Sequence, residues 1–466
     1  MKKRWYYLAA TLLMAGCAED AFEDGSNVLE TEARQEIKLF AGTKGIEVDS
    51  RGAGTVGGLA TDATNNVWNG QELIIWGIKN NATDLTKDNA SNVYLTGVKA
   101  IAPTDVKTGA IALDGGPLYY PLQGAFNFTG YYIDDAAGTT QPERTATTIS
   151  QAVTIDGSQD IMIAKAGLTA TQKIVLVDAL IEYEKLTGVS TEYVNANGDC
   201  LSTISDDKKK LIEQEYQKAF SSYTARRLVQ PEMTFEHQLA RLEFSVIAGD
   251  PNAQGSETKV NVDGTEYTKG ILIEEIKITD AQNKGTITID NAGEITFTAD
   301  ANAKGELILK SSEKNTDGSL KDLEETAPAG LYNKDGLVDE NSKKNVYTKI
   351  GESILAFPAS QYIVDIKTIQ YIQAKKDGTG NEIVKESGAQ AAGKETSYTN
   401  VTIKLSGTDT FEAGKTYDIK VKVYSNQEIV ITATLQGWEE GEEVKISPED
   451  DLFDQEFNSS TGTTNP

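Results

Sequence analysis

The chain is poor in the residues that build reactive centres. Its 466 residues include one histidine, two cysteines and four tryptophans. A nucleophile–histidine–acid arrangement would have to use His237, which lies inside an alternating strand pattern, FEHQLARLEFSV, without a flanking nucleophile signature. It is read as a structural histidine. Zinc normally takes its ligands from cysteine and histidine, and this supply cannot make the usual set without several carboxylates. No GxGxxG or P-loop pattern occurs, so no nucleotide or cofactor site is expected. Basic residues are also scarce: 44 Lys and Arg against 70 Asp and Glu leave a formal net charge of -26. Nucleic acid and anionic membrane surfaces would repel such a chain. After the first twenty residues no apolar run is long enough to cross a bilayer.

What is present begins at the N-terminus. Lys2, Lys3 and Arg4 precede a short apolar stretch that ends in Met14-Ala15-Gly16-Cys17. A spanning helix needs roughly twenty apolar residues, so this stretch reads as a secretory signal, residues 1–16. Ala and Gly directly before Cys17 resemble the lipobox of bacterial lipoproteins, which implies acylation of Cys17 and an anchor in the outer membrane. Residues 17–34 form an acidic tether whose Glu19, Asp20, Glu23 and Asp24 resemble a surface-export tag. A solvated linker has the same composition. With Cys17 used in this way Cys200 is the only other thiol, so burial and not a disulfide holds the fold.

The remainder is expected to be mainly β. Short apolar alternations separated by Asn, Asp, Gly and Pro recur in QEIKLFAG, ELIIWGI, SNVYLTGV, PLYYPL and GAFNFTGYYI. Many short strands with such turns suggest β-sandwiches. Residues 35–249 are assigned to an N-terminal domain, with a helical insertion at about 167–229 where Leu211, Ile212, Tyr216 and Phe220 fall near one face. Between Phe235 and Val246 the apolar parity changes, which predicts a bulge near Leu239. Residues 250–446 form a second domain. Its clearest feature is a hairpin in which Tyr417, Ile419, Val421 and Val423 alternate with polar residues, followed by Ile429, Ile431, Ala433 and Leu435. Residues 447–466 are an acidic tail. The last stretch as a whole, residues 439–466, keeps the spaced apolar residues Val444, Ile446, Leu452, Phe453 and Phe457, suited either to a donor strand or to a solubilising tail.

Two further patterns bear on chemistry. EKNTDGSLKDLE, residues 313–324, resembles a calcium loop at Asn315, Asp317, Gly318, Leu320 and Glu324, but Glu313 replaces the usual Asp and Lys321 intrudes. It is read as an acidic surface loop. Carboxylates are too numerous for a glycosidase pair to be singled out.

Taken together, Cys17, VWNGQELIIWGI, the YYP of 119–121, the GYY of 130–132, FEHQLARLEFSV and AGKTYDIKVKVYSNQEIVITATLQGW resemble the fimbrillin-like family of Bacteroidetes, the subunits of type V pili. The resemblance implies two transthyretin-like β-sandwich domains and a non-enzymatic subunit of a fimbria that supports adhesion. It further implies partners: other fimbrial subunits, an arginine-specific protease, the outer membrane through a lipid, and a ligand on a host or bacterial surface. In the family an N-terminal strand is cut off and its groove accepts a C-terminal strand of the next subunit, a form of strand addition. Arg51, followed by Gly52, matches the cleavage position; Arg34 and Arg226-Arg227 compete with it. The other reading is a monomeric surface lipoprotein that binds glycan through Trp68, Trp76, Tyr131 and Tyr132.

Overall fold

The computed structural model describes residues 35–43, 68–106, 108–134, 141–249, 259–262, 265–316, 319–324, 326, 328, 347–376, 380–385, 396–405, 409–425 and 428–435. Strands dominate, as the alternating pattern requires. In chain order the elements that matter most are strand β1 (Phe40–Thr43), strand β2 (Thr108–Ala110), helices α1 (Ala170–Glu182), α2 (Asp206–Tyr216) and α3 (Ser222–Ala225), and strands β3 (Glu232–His237) and β4 (Ala240–Ala248).

An eight-stranded sheet runs β2, β1, β3, Ile161–Gly167, Phe126–Ile133, Glu72–Lys79, Val93–Ile101 and Ala112–Leu113. Its first and last strands are separated in sequence by Ile111 alone, so the sheet curls back on itself. The curled face encloses Trp68, Leu73, Ile75, Tyr120, Phe128, Met233 and Phe235. Trp68 meets Phe235 edge to face at 5.3 Å, the geometry that aromatic quadrupoles favour.

The segment between 167 and 229 is helical, in line with its pattern. Thr169 caps α1 through a reciprocal box with Gln172, and Ser221 does the same for α3 with Thr224. Val177 and Leu180 of α1 pack on Ile212 of α2 and on Tyr193, making a small core of their own.

The bulge expected near Leu239 is a larger event. β3 ends at His237, and after Gln238 and Leu239 the chain enters a different sheet, ordered Thr348–Ala356, β4, Thr416–Ser425 and Glu428–Leu435. One apolar face therefore serves the curled sheet and the opposite face serves the larger core around Leu242, Phe244, Ile354, Ile419 and Val421. Changing sheets is how a strand turns a corner between packed layers. Pairing also crosses the boundary expected at 249/250. Not only β4 but also Thr148–Thr154 pairs with second-half strands, the latter with Lys284–Asp290 from Thr148↔Asp290 to Thr154↔Lys284. The C-terminal hairpin has the expected phase, with Tyr417↔Leu435, Ile419↔Ala433 and Val421↔Ile431. PLYYPL, read as a strand, contributes only an isolated bridge between Tyr119 and Glu36: Pro117 and Pro121 bracket it and cannot donate to a ladder.

Candidate functional site

The site is the slot that holds residues 35–43. β1 lies between two neighbours, parallel to β3 (Phe40↔Glu232) and antiparallel to β2 (Phe40↔Ala110). Ahead of β1 the backbone of residues 35–39 is bonded along one side, and on the other β1 itself opens with a bond to Pro231. Ile37 N–H donates to Leu118 O at 2.8 Å, and Tyr120 N–H donates to Gln35 O at 2.8 Å. Ile111 N–H donates to Leu39 O at 2.9 Å, and Phe40 N–H donates to Pro231 O at 3.1 Å. The alternation predicted from QEIKLFAG is realised: Ile37, Leu39 and Ala41 are buried in the curled sheet's core, while Glu36, Lys38 and Phe40 face outward. Burying Ile37 and Leu39 contributes about 1.5–3 kcal/mol each. The segment is thus an integral part of the core, a regular strand from Phe40 to Thr43, joined to the rest by main-chain bonds and a single apolar face.

The outward side chains form one wall of a cleft of about 620 Å³, closed by Tyr119, Gln172, Ala225, Leu228, Gln230 and Glu232. Gln230 Oε1 accepts the Lys38 N–H at 3.3 Å, and Gln172 Nε2 donates to Gln230 O at 2.8 Å. The capping residue of α1 therefore also holds the strip that borders the slot. Leu228 stands in the left-handed region (φ +63°) with 82% of its surface exposed. It occupies the turn after α3, where Leu228 N–H donates to Ala225 O and Val229 N–H to Thr224 O, the bonding of a Schellman motif.

Several sequence-derived residues lie outside the described residues: Cys17, Arg34, Arg51, Gly52, and the tail residues Val444, Ile446, Leu452, Phe453 and Phe457. Arg226 and Arg227 are described, and they sit in this same tight turn. Arg227 N–H donates to Thr224 O at 2.9 Å. Its guanidinium donates to Glu182 at 2.8 Å and lies over the rings of Tyr183 and Tyr223. A protease binds its substrate as an extended strand, and this backbone is neither extended nor free.

The aromatic set considered for glycan is corrected by the structure. Trp68, Trp76, Tyr131 and Tyr132 are 0%, 3%, 3% and 5% exposed, so they are core residues and offer no stacking surface. His237 Nδ1 lies 2.8 Å from Asp160 Oδ2, a carboxylate 1% exposed. In the 313–324 stretch Lys321 pairs with Glu313, which places an ammonium where a calcium ligand would be needed. Asp317 and Gly318 of that loop lie outside the described residues. Sequence reasoning missed Tyr119, Leu228, Gln230 and Glu232, because their gathering at the slot depends on the helical insertion folding back beside β1. Only Gln172 carried a local signal, the Thr169-x-x-Gln172 box.

Solved structures similar to this chain include fimbrial, cell adhesion and candidate polysaccharide-binding proteins of Bacteroides and Porphyromonas. A fimbrial protein from Bacteroides vulgatus is 12% identical, with 87% of this chain and all of that one covered at a TM-score of 0.37. The fimbrial anchor protein Mfa2 from Porphyromonas gingivalis is 10% identical, with 86% and 98% covered at a TM-score of 0.29. A candidate cell adhesion protein from Bacteroides uniformis is 11% identical, with 88% and 99% covered at 0.37. No protein-family model matches the chain, and no curated protein matches it in sequence. With superpositions this loose, the functional argument rests on the slot itself.

Proposed function

We propose that the protein is a structural or accessory subunit of a type V fimbria, exported as a lipoprotein through Cys17 to the cell outer membrane. Proteolysis there frees the slot, and a strand from the tail of another subunit refills it, so that subunits join head to tail and support adhesion. The supporting observation is that residues 35–43 are built into the body, β1 between β2 and β3 and residues 35–39 bonded to Tyr120, Leu118 and Ile111, with Ile37, Leu39 and Ala41 in the core. Removing that segment would leave the main-chain groups of Ile111, Leu118, Tyr120 and Pro231 without partners beside an open apolar groove. The open apolar groove is unfavourable in water, and the row of unpaired main-chain groups is a template for another strand. A strand from another copy answers both at once, and because such a contact does not close on itself it propagates as a filament.

The same geometry supports Arg51 as the position of the cut. Cleavage at Arg34 precedes the segment and leaves it attached to the body. Arg226 and Arg227 are held in the turn after α3. Cleavage after Arg51 detaches residues 35–43 from the rest of the chain. Treatment with an arginine-specific protease should yield filaments visible by electron microscopy, and Arg51→Ala should remain monomeric under the same treatment. Equal polymerisation of the uncut protein would refute strand exchange.

A further inference from the structure

The slot segment reads Glu36-Ile37-Lys38-Leu39, and the tail reads Glu443-Val444-Lys445-Ile446. Both follow Glu, aliphatic, Lys, aliphatic. The same pattern appears at Glu275-Ile276-Lys277-Ile278, where it is already committed: Lys277 and Ile278 pair with Ile308 and Leu307 on one side and with Asp365 and Val364 on the other. At both described copies the two aliphatic residues are buried and the Glu and Lys pair on the outer face. The tail copy is also the one place where the acidic stretch 439–456 carries a lysine, Lys445 against nine Asp and Glu.

Resting on the strand-exchange reading above, we propose that residues 443–446 of a second copy refill the slot in register with residues 36–39. Val444 takes the place of Ile37 and Ile446 that of Leu39, swaps of nearly conserved volume that a packed core tolerates. Glu443 and Lys445 take the outward positions of Glu36 and Lys38, whose side chains lie 3.8 Å apart beside the cleft that Glu232 also borders. A strand with two acidic residues there would add a third like charge; the lysine prevents this, which accounts for its place in an otherwise acidic tail. The match runs one residue further, Ser447 at the position of Phe40, and stops at Pro448, which falls where Ala41 lies and has no N–H to give to a neighbouring strand.

Register is testable because a one-residue slip moves every side chain to the opposite face. Two full-length proteins lacking Cys200 (Cys200→Ser) are cut with an arginine-specific protease and mixed under oxidising conditions, one carrying Glu232→Cys and the other Ser447→Cys. A disulfide between copies is expected, since Phe40 and Glu232 are register partners. Ile446→Cys in place of Ser447→Cys should give none. In a second measurement the variant E443V/V444E/K445I/I446K keeps the composition and all later apolar residues but shifts the phase. Its assembly should slow by more than about tenfold. Wild-type assembly of that variant, or crosslinking of 232 through 446, would overturn the proposed register while leaving strand exchange intact. If the cut, unsubstituted protein forms no filaments, strand exchange itself fails and the register with it.

Discussion

Leu228 shows how much one residue can say. A left-handed residue after a helix is usually glycine, because a Cβ there crowds the backbone. This one is a leucine with most of its side chain in water, so it gains little burial in return. Leu228→Gly should raise stability by about 1 kcal/mol, read as a higher midpoint in denaturant. Asp418 is a different case. Burial pushes its carboxyl above the ordinary value of 3.8, with Lys420 opposing and Glu243 adding to the rise. The folded state then holds that proton more tightly than the unfolded state. Stability from this group accordingly falls as pH rises from the ordinary value through the raised one, and above both it is a constant deficit. Asp418→Asn should melt higher than the wild type at pH 7, with the difference shrinking toward pH 3. A constant difference across that range would show that the carboxylate's charge is not the cause.

At the scale of elements, α1 and the slot depend on one another. The Thr169 hydroxyl accepts from Gln172 N–H, the Gln172 side chain returns to the Thr169 N–H, and its amide reaches Gln230 O beside Lys38. Thr169→Ala should cost about 1 kcal/mol through the lost cap. It should also speed amide exchange at Lys38 and Phe40, measurable by hydrogen–deuterium exchange in the intact protein. Leu39→Ala acts directly on the slot, where a cavity in a packed core costs about 2–5 kcal/mol. The strand alternation and the C-terminal hairpin were legible because each depends on residues within one turn or one strand. The exchange of sheets at Gln238-Leu239 was legible only as a change of parity. The pattern shows that the faces switch, but two sheets have to exist before the switch can be read as a crossing.

For the whole molecule the governing quantity is charge. Copies carrying a formal net charge of -26 repel one another, and the tail proposed to enter the slot is among the most acidic stretches. Screening shortens this repulsion to about 10 Å near 0.1 M salt. Assembly of the cleaved protein should therefore be slow at low ionic strength and accelerate as salt is added, followed by light scattering. The core contacts in the slot are apolar and gain nothing comparable from salt at these concentrations. An assembly rate that falls with salt would point to attraction between charged faces instead.

The chain's order along its length was already decided by its sequence. Short alternating runs can bury only one face, so they had to become strands in sandwiched or curled sheets. The near absence of histidine and paired cysteine left burial as the stabilising force and removed the common reactive centres. Tertiary structure decided which strands meet. Thr148–Thr154 pairs with Lys284–Asp290 and β1 lies parallel to β3 nearly two hundred residues away, and no local pattern encodes either pairing. It also decided that Trp68, Trp76, Tyr131 and Tyr132 are interior, because an aromatic in a strand has the same sequence signature whichever face it takes. The segment 35–43 was visible as extended from its alternation alone, and its last four residues form a regular strand. The place of that strand between β2 and β3 emerged only when distant parts of the chain closed around it.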